Sequence, residues 1–243
     1  MEKPAANPKI YRDVITLNID VQNDFALPEG SLSVRDGEAI IEPLNAINEW
    51  TRQHNGRVIF TRDWHPPTTA HFAEFGGTWP IHCVADTAGA KLHDDLAVND
   101  GDIIANKGTS MEDDGYSGWQ AVDPVSGDSV ASLIRNRLFE ARNDHERTLA
   151  EEKPLAILIG GLATDYCVLA TCLDAVQTRK AAYKDADFTI DLYLLNDAVR
   201  AVNVQPGDDT RALQQIADAN IYAISTKDIL AGGIAIDASR IER

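Results

Sequence analysis

The sequence predicts an α/β fold, with parallel strands joined by right-handed helical crossovers in one layered domain. Three observations point there. Short, β-rich apolar runs recur without polar alternation, the pattern of strands covered on both faces. Stretches with apolar residues at helical spacing lie between them. The alternation of the two along the chain leaves parallel crossover units as the consistent arrangement.

The strand runs are Val14–Asp20, Arg57–Thr61, Asp102–Asn106, Leu155–Gly160, Leu192–Leu195 and Ile221–Ser225. Ile40, Ile41, Leu44, Ile47 and Trp50 mark the first helix, which Asn55 and Gly56 stop. Val130, Leu133, Ile134 and Leu138 mark a second, and Val168, Leu169, Cys172, Leu173 and Val176 a third. The last helix should begin at Asp208 or Asp209, both good N-cap types, and run through Leu213 and Ile216. Residues 62–101 show little periodicity and are dense in His, Pro, Gly and Trp. A loop of that length in a compact domain is usually functional when ordered. Glu140–Lys153 is polar and charged, and reads as a solvated helix end plus loop. No repeat, low-complexity tract or linker divides the chain, so residues 1–243 are expected to form a single domain.

Composition excludes several classes. The 243 residues carry a formal net charge of −16. Such a surface repels phosphate backbones, so nucleic acid is not an expected partner. No apolar run reaches membrane-spanning length, and the longest, Leu155–Val168, is broken by Gly160 and Gly161. The first ten residues lack the apolar core of a signal peptide, which leads us to expect a cytoplasmic protein. The three cysteines, Cys83, Cys167 and Cys172, have no disulfide-framework spacing. In a reducing compartment they are free thiols, one of them a candidate nucleophile.

In open α/β sheets, ligands bind beyond the carboxyl ends of the strands. The first strand ends in Asp20, the second is followed by Asp63 and His65, and the third by Lys107. The fourth is followed by a glycine-containing turn and Cys167, placed where a helix begins. A carboxylate, a metal-ligating pair, an ammonium and a thiol thus reach one edge. Backbone N–H groups at a helix start stabilise a thiolate and receive an oxyanion. Asp20, at the end of an apolar strand, is a desolvated acid suited to proton transfer. Lys107 would hold Asp20 and Cys167 in register and favour their ionised forms. Taken alone, Cys167 reads equally as a buried structural thiol, Asp20 as a turn residue and Lys107 as a solvated one. Only the set carries the chemistry. Asp24 suits a turn role, Cys172 lies in an apolar stripe, and Cys83 stays ambiguous.

Three of the six histidines, His65, His71 and His82, fall within eighteen positions of one loop. Asp63 and His65 alternate, so an extended chain turns both to one ion. His82 would add a third ligand and leave open positions for water or substrate. This N2O set suits one divalent ion, Zn, Fe or Mn. His54, His93 and His145 read as solvated.

At these residues the sequence resembles the nicotinamidase/pyrazinamidase branch of the isochorismatase-like cysteine hydrolases. The matching blocks are Asp20–Phe25 (DVQNDF), Thr61–Pro66 (TRDWHP), Trp79–Val84 (WPIHCV) and Thr87–Ala90 (TAGA). Lys107–Gly108, Tyr116–Trp119 (YSGW), Gly160–Val168 (GGLATDYCV) and Asn196–Ala198 (NDA) follow in the family's order. The resemblance implies a three-layer fold, a six-stranded parallel sheet with helices on both faces. It implies a triad of Asp20, Lys107 and Cys167, and metal ligands Asp63, His65 and His82, with zinc the first expectation. His71 would be an additional ligand or a partner of metal-bound water. Phe25, Trp79 and Tyr116 would enclose the pyridine ring. A cis peptide before Ala163 would turn the Ala163 and Cys167 amides into an oxyanion hole. The implied reaction hydrolyses nicotinamide, and pyrazinamide with it, for pyridine nucleotide salvage. Rival readings stay open: an amidase acting on a carbamoyl or ureido substrate, or a noncatalytic metal-binding module of the same fold. A homo-oligomer is compatible with the sequence. Met111–Gly115 and Val122–Lys153 look longer than in compact bacterial members.

Overall fold

The computed structural model describes residues 8–140, 153–184 and 189–237. Each of the six expected strand runs forms a strand, with shifted ends. They are β2 (Asp13–Ile19), β3 (Arg57–Asp63), β4 (Ile103–Lys107), β5 (Leu155–Leu162), β6 (Ile190–Arg200) and β7 (Tyr222–Ile224). They pair in parallel, in the order β4-β3-β2-β5-β6-β7. Every residue of β2 and β5 is buried, as central strands covered on both faces must be. A further pair was not expected: β1 (Lys9–Tyr11) lies parallel to β8 (Ile234–Ile236). These runs are too short to stand out by composition and meet only through the fold.

Helices cover both faces of the six-stranded sheet. On one face α2 (Ile41–Gln53) packs Leu44 and Ile47 with Val14, Val58 and Leu158. On the other, Val130 and Ile134 of α3 (Val130–Glu140), Cys172 and Val176 of α4 (Leu169–Lys184) and Ile216 of α5 (Asp208–Asp218) meet Ile15, Leu17 and Ile157. Among the described residues the two other α-helices, α1 (Asn23–Ala26) and α6 (Thr226–Asp228), are short. The α2 face of β2 is polar despite full burial. Thr16 and Thr51 hydroxyls meet at 2.6 Å, and Asn18 and Asn48 exchange two amide bonds of 3.0 Å. The expected N-cap of α5 is corrected: the cap is Gly207, without a side-chain bond, and Asp208 and Asp209 lie in the first turn, where their charge suits the helix dipole.

Chain order runs outward from β2 to β4 on one side and from β5 to β7 on the other. The order therefore reverses between β2 and β5, and the crevice opens at their carboxyl ends. Residues 62–101 are ordered over that crevice by bridges pairing His65 with Val84 and Phe72 with Trp79. Among the described residues no helix is long and apolar enough to cross a membrane. Residues 141–152, which make up most of the segment expected to be a solvated loop and include His145, lie outside the described residues.

Candidate active site

Strand register brings the charged groups together. Asp63 and Lys107 are Cα partners at the ends of β3 and β4, so their side chains leave the sheet on the same side. Asp20 follows β2 with a left-handed φ of 50°, a conformation Asp tolerates better than most residues. Its amide donates to Thr61 O at 3.2 Å, and its carboxylate accepts from the Thr61 hydroxyl at 2.7 Å. Lys107 Nζ then lies 2.8 Å from Asp20, 2.5 Å from Asp63 and 3.4 Å from Cys167 Sγ. All four side chains are buried.

Burial sets their protonation. Desolvation raises Asp20 to about 6, against the pull of Lys107. Asp63 is held well below the usual carboxylate range: Lys107, His65 and His82 outweigh the cost of its burial. Lys107 stays charged because the two carboxylates overcome its desolvation. Cys167 corrects an expectation. Burial, with Asp20 and Asp63 beside it, lifts the thiol well above its ordinary value; Lys107 favours the thiolate as expected but is outweighed. The resting sulfur is a thiol that needs a base.

Cys167 lies within a π-helical turn, Thr164–Val168, which leads into α4. The peptide bond between Leu162 and Ala163 is cis. Ala163 and Cys167 both line a pocket with Phe25, Trp79, Tyr116 and Tyr166. Trp79 Nε1 donates to the Tyr116 hydroxyl at 2.8 Å, and the Tyr166 ring meets Trp79 edge-on at 4.8 Å. Sequence reasoning passed over Tyr166, although it sits one residue before Cys167 in a recognised block. It also passed over Gln22, whose side chain donates to Asp63 O and accepts from Asp63 N, both at 2.8 Å. A side chain that satisfies both polar groups of one peptide fixes the backbone that carries Asp63.

Three of the metal candidates, His71, His82 and Asp63, also line this pocket. His65, His71 and His82 each bring one ring nitrogen to within 4.8 Å of the others. His65 Nε2 is 3.7 Å and His82 Nε2 4.0 Å from Asp63 Oδ2. Each Nδ1 is occupied: His65 with Gly108 O at 3.0 Å, His82 with Pro80 O at 2.8 Å, His71 with Asp114 at 2.8 Å. Those oxygens only accept, so Nδ1 carries the proton and Nε2 the lone pair. Burial lowers His71, and brings His82 down to about 4, keeping both neutral. Among the described residues His65 Nε2 is buried without a hydrogen-bond partner. A buried nitrogen lone pair beside an ionised carboxylate and two further imidazoles fits a divalent cation.

The remaining residues have structural surroundings. Cys172 is buried in the core and pushed up to about 12, and Cys83 is a buried thiol whose amide donates to Asp24 at 2.7 Å. Two histidines expected to be solvated are not. His93 is buried, its Nδ1 accepting from Asp95 N at 3.2 Å, and His54 is half-buried against the Trp50 ring at 4.4 Å. His54 is covered by Trp50, one helical turn back, whereas His93 is brought in by partners that helix periodicity does not reveal.

A parallel sheet that brings a buried thiol, a carboxylate and an ammonium together at its carboxyl edge defines a cysteine-hydrolase type of site. A family model for the isochorismatase domain matches residues 14–228, and the chain belongs to that family. It is 30% identical over 226 residues to the nicotinamidase of Escherichia coli (strain K12), covering 86% of this chain and 94% of that one. The zinc complex of Pyrococcus horikoshii pyrazinamidase superposes with a TM-score of 0.69 at 30% identity, covering 88% of this chain and 99% of the other. An L. infantum protein solved in complex with nicotinate gives 0.69 at 26% identity, over 93% and 96%.

Proposed function

We propose that this chain is a nicotinamidase, converting nicotinamide and water to nicotinate and ammonia, and that it also accepts pyrazinamide. The observation that carries the reading is an aromatic pocket lined by Cys167 together with Asp63, His71 and His82, with Lys107 and Asp20 buried directly behind the thiol. The similarity to nicotinamidases supports the same substrate class.

Asp20 takes the proton of Cys167 as sulfur bonds to the amide carbonyl carbon, and the carbonyl π electrons move to oxygen. The Ala163 and Cys167 amides receive that oxyanion. Its collapse breaks the C–N bond, ammonia leaves with the proton from Asp20, and a thioester remains. Asp20 next accepts a proton from water as the hydroxide oxygen bonds to the thioester carbon. The C–S bond breaks, the sulfur takes the proton back from Asp20 to restore the thiol, and the product loses its acid proton to water and departs as nicotinate. Lys107 holds Asp20 and Cys167 together and balances the carboxylate charge throughout. Phe25, Trp79 and Tyr116 enclose the ring. A divalent ion held by Asp63, His65 and His82, with His71 beside them, would supply an anchor for the pyridine nitrogen, and zinc is the expected ion. Free thiols persist in reducing compartments, so we place the activity in the cytoplasm.

The test is ammonia release from nicotinamide by the purified chain, before and after chelation. Release that falls on chelation and returns with zinc supports the proposal. No release from nicotinamide, with turnover of a carbamoyl or ureido compound, overturns it. The variants His65→Ala and His82→Ala should weaken nicotinamide far more than benzamide, which has no ring nitrogen. Equal losses would move the ion's role to the carbonyl or to water.

A further inference from the structure

Asp114 has no part in that mechanism, and sequence reasoning gave it none. It is carried by the segment that leaves β4 beyond Lys107 and returns on itself between Gly108 and Gly115. Both glycines are left-handed, with φ of 61° and 65°. A Cβ on Gly115 would stand 2.3 Å from Gly108 Cα, and one on Gly108 would stand 2.4 Å from the His65 ring. Side chains are thus excluded where the segment crosses itself. Within it, Asp113 N donates to Ser110 Oγ at 3.0 Å and Gly115 N to Asp113 Oδ1 at 2.9 Å. Met111 O accepts from Ala70 N at 3.0 Å and from Thr69 Oγ1 at 3.2 Å, which ties the segment to the chain just before His71. The outcome is a carboxylate at the rim of the pocket, with Asp114 Oδ1 2.8 Å from His71 Nδ1.

We propose that Asp114 is a positioning residue that turns His71 into a ligand of the pocket's metal ion. The three histidines are oriented differently. Backbone carbonyls, Gly108 O and Pro80 O, fix His65 and His82, whereas His71 relies on a side chain that is 62% exposed. A carboxylate on Nδ1–H fixes the ring and raises the basicity of Nε2, and loss of such a partner costs about 10- to 100-fold in metal affinity. The same segment supplies Gly108 O to His65, so one excursion of chain orients two of the three imidazoles. This inference rests on the metal reading given above.

The test measures Zn²⁺ and Co²⁺ affinity by competition with a chromogenic chelator, on the full chain. The proteins are wild type, Asp114→Ala, Asp114→Asn, His71→Ala and the double variant His71→Ala with Asp114→Ala. Asp114→Ala should bind about 10- to 100-fold more weakly. Asp114→Asn should lose less, since its amide oxygen still accepts from Nδ1–H. In the His71→Ala background, loss of Asp114 should add nothing, because Asp114 acts through His71. The visible spectrum of the Co²⁺ form should change alike in Asp114→Ala and His71→Ala. Wild-type affinity in Asp114→Ala overturns the proposal, and so does an undiminished further loss in the double variant. A wild-type chain that binds neither ion is a separate result, which removes the metal reading and this inference together.

Discussion

Lys107 is surrounded by Asp20, Asp63 and Cys167, two acids and a thiol in a space closed to water. Burial keeps the sulfur protonated at neutral pH although Lys107 pulls the other way, and Asp20, near 6, is the group left to take its proton. The sign of the pH dependence follows. The mechanism needs Asp20 ionised, so kcat/KM should fall towards tenfold per pH unit below about 6, and level off above it. A profile flat from pH 7 to 4.5 would remove Asp20 from the base role. The two core-facing thiols near α4 should also separate. Cys167→Ala should abolish ammonia release while nicotinamide still binds, as isothermal titration would show. Cys172→Ala, with its sulfur deep in the core, should keep its turnover and lose only packing.

The helix α2 meets β2 through Asn48 and Thr51 as well as through leucine and isoleucine. Paired buried amides hold register between helix and strand, and β2 is the strand whose end delivers Asp20. Asn48→Ala leaves the Asn18 amide with one long contact, to Ile59 O at 3.4 Å. We expect it to cost about 1–3 kcal/mol, read from the urea midpoint at unchanged slope. Adding Asn18→Ala should cost less than the sum of the single losses, since both ends of the pair are then gone.

Across the whole molecule, the candidate ligands come from β3 and from the ordered loop after it, with the 108–115 segment behind two of them. An ion there links pieces of chain that separate on unfolding. Metal at 100 times its Kd should therefore stabilise the fold by about 2.7 kcal/mol. Thermal unfolding with added zinc and with chelator checks this. His82→Ala should shrink the difference, and a melting temperature indifferent to zinc would count against a native ion.

The amino-acid sequence by itself determined the alternation of strands and helices, because buried strands and amphipathic helices leave local apolar patterns. It also pointed Asp20, Lys107 and Cys167 to one edge, since each comes at or shortly after the end of such a strand. Only the tertiary structure decided what lies between elements. Gln22 reaches Asp63 across 41 positions and Asp114 reaches His71 across 43, with no periodicity to mark either pair. The ion pair of Asp63 and Lys107 depends on β3–β4 register, which no single run encodes. The protonation of Cys167 depends on a sum of burial and charge over residues from four strand ends. His93 looks like a surface residue locally and is covered by neighbours the fold supplies. Local pattern specifies what an element is; packing specifies which side chains it brings within 4 Å, and there the chemistry is set.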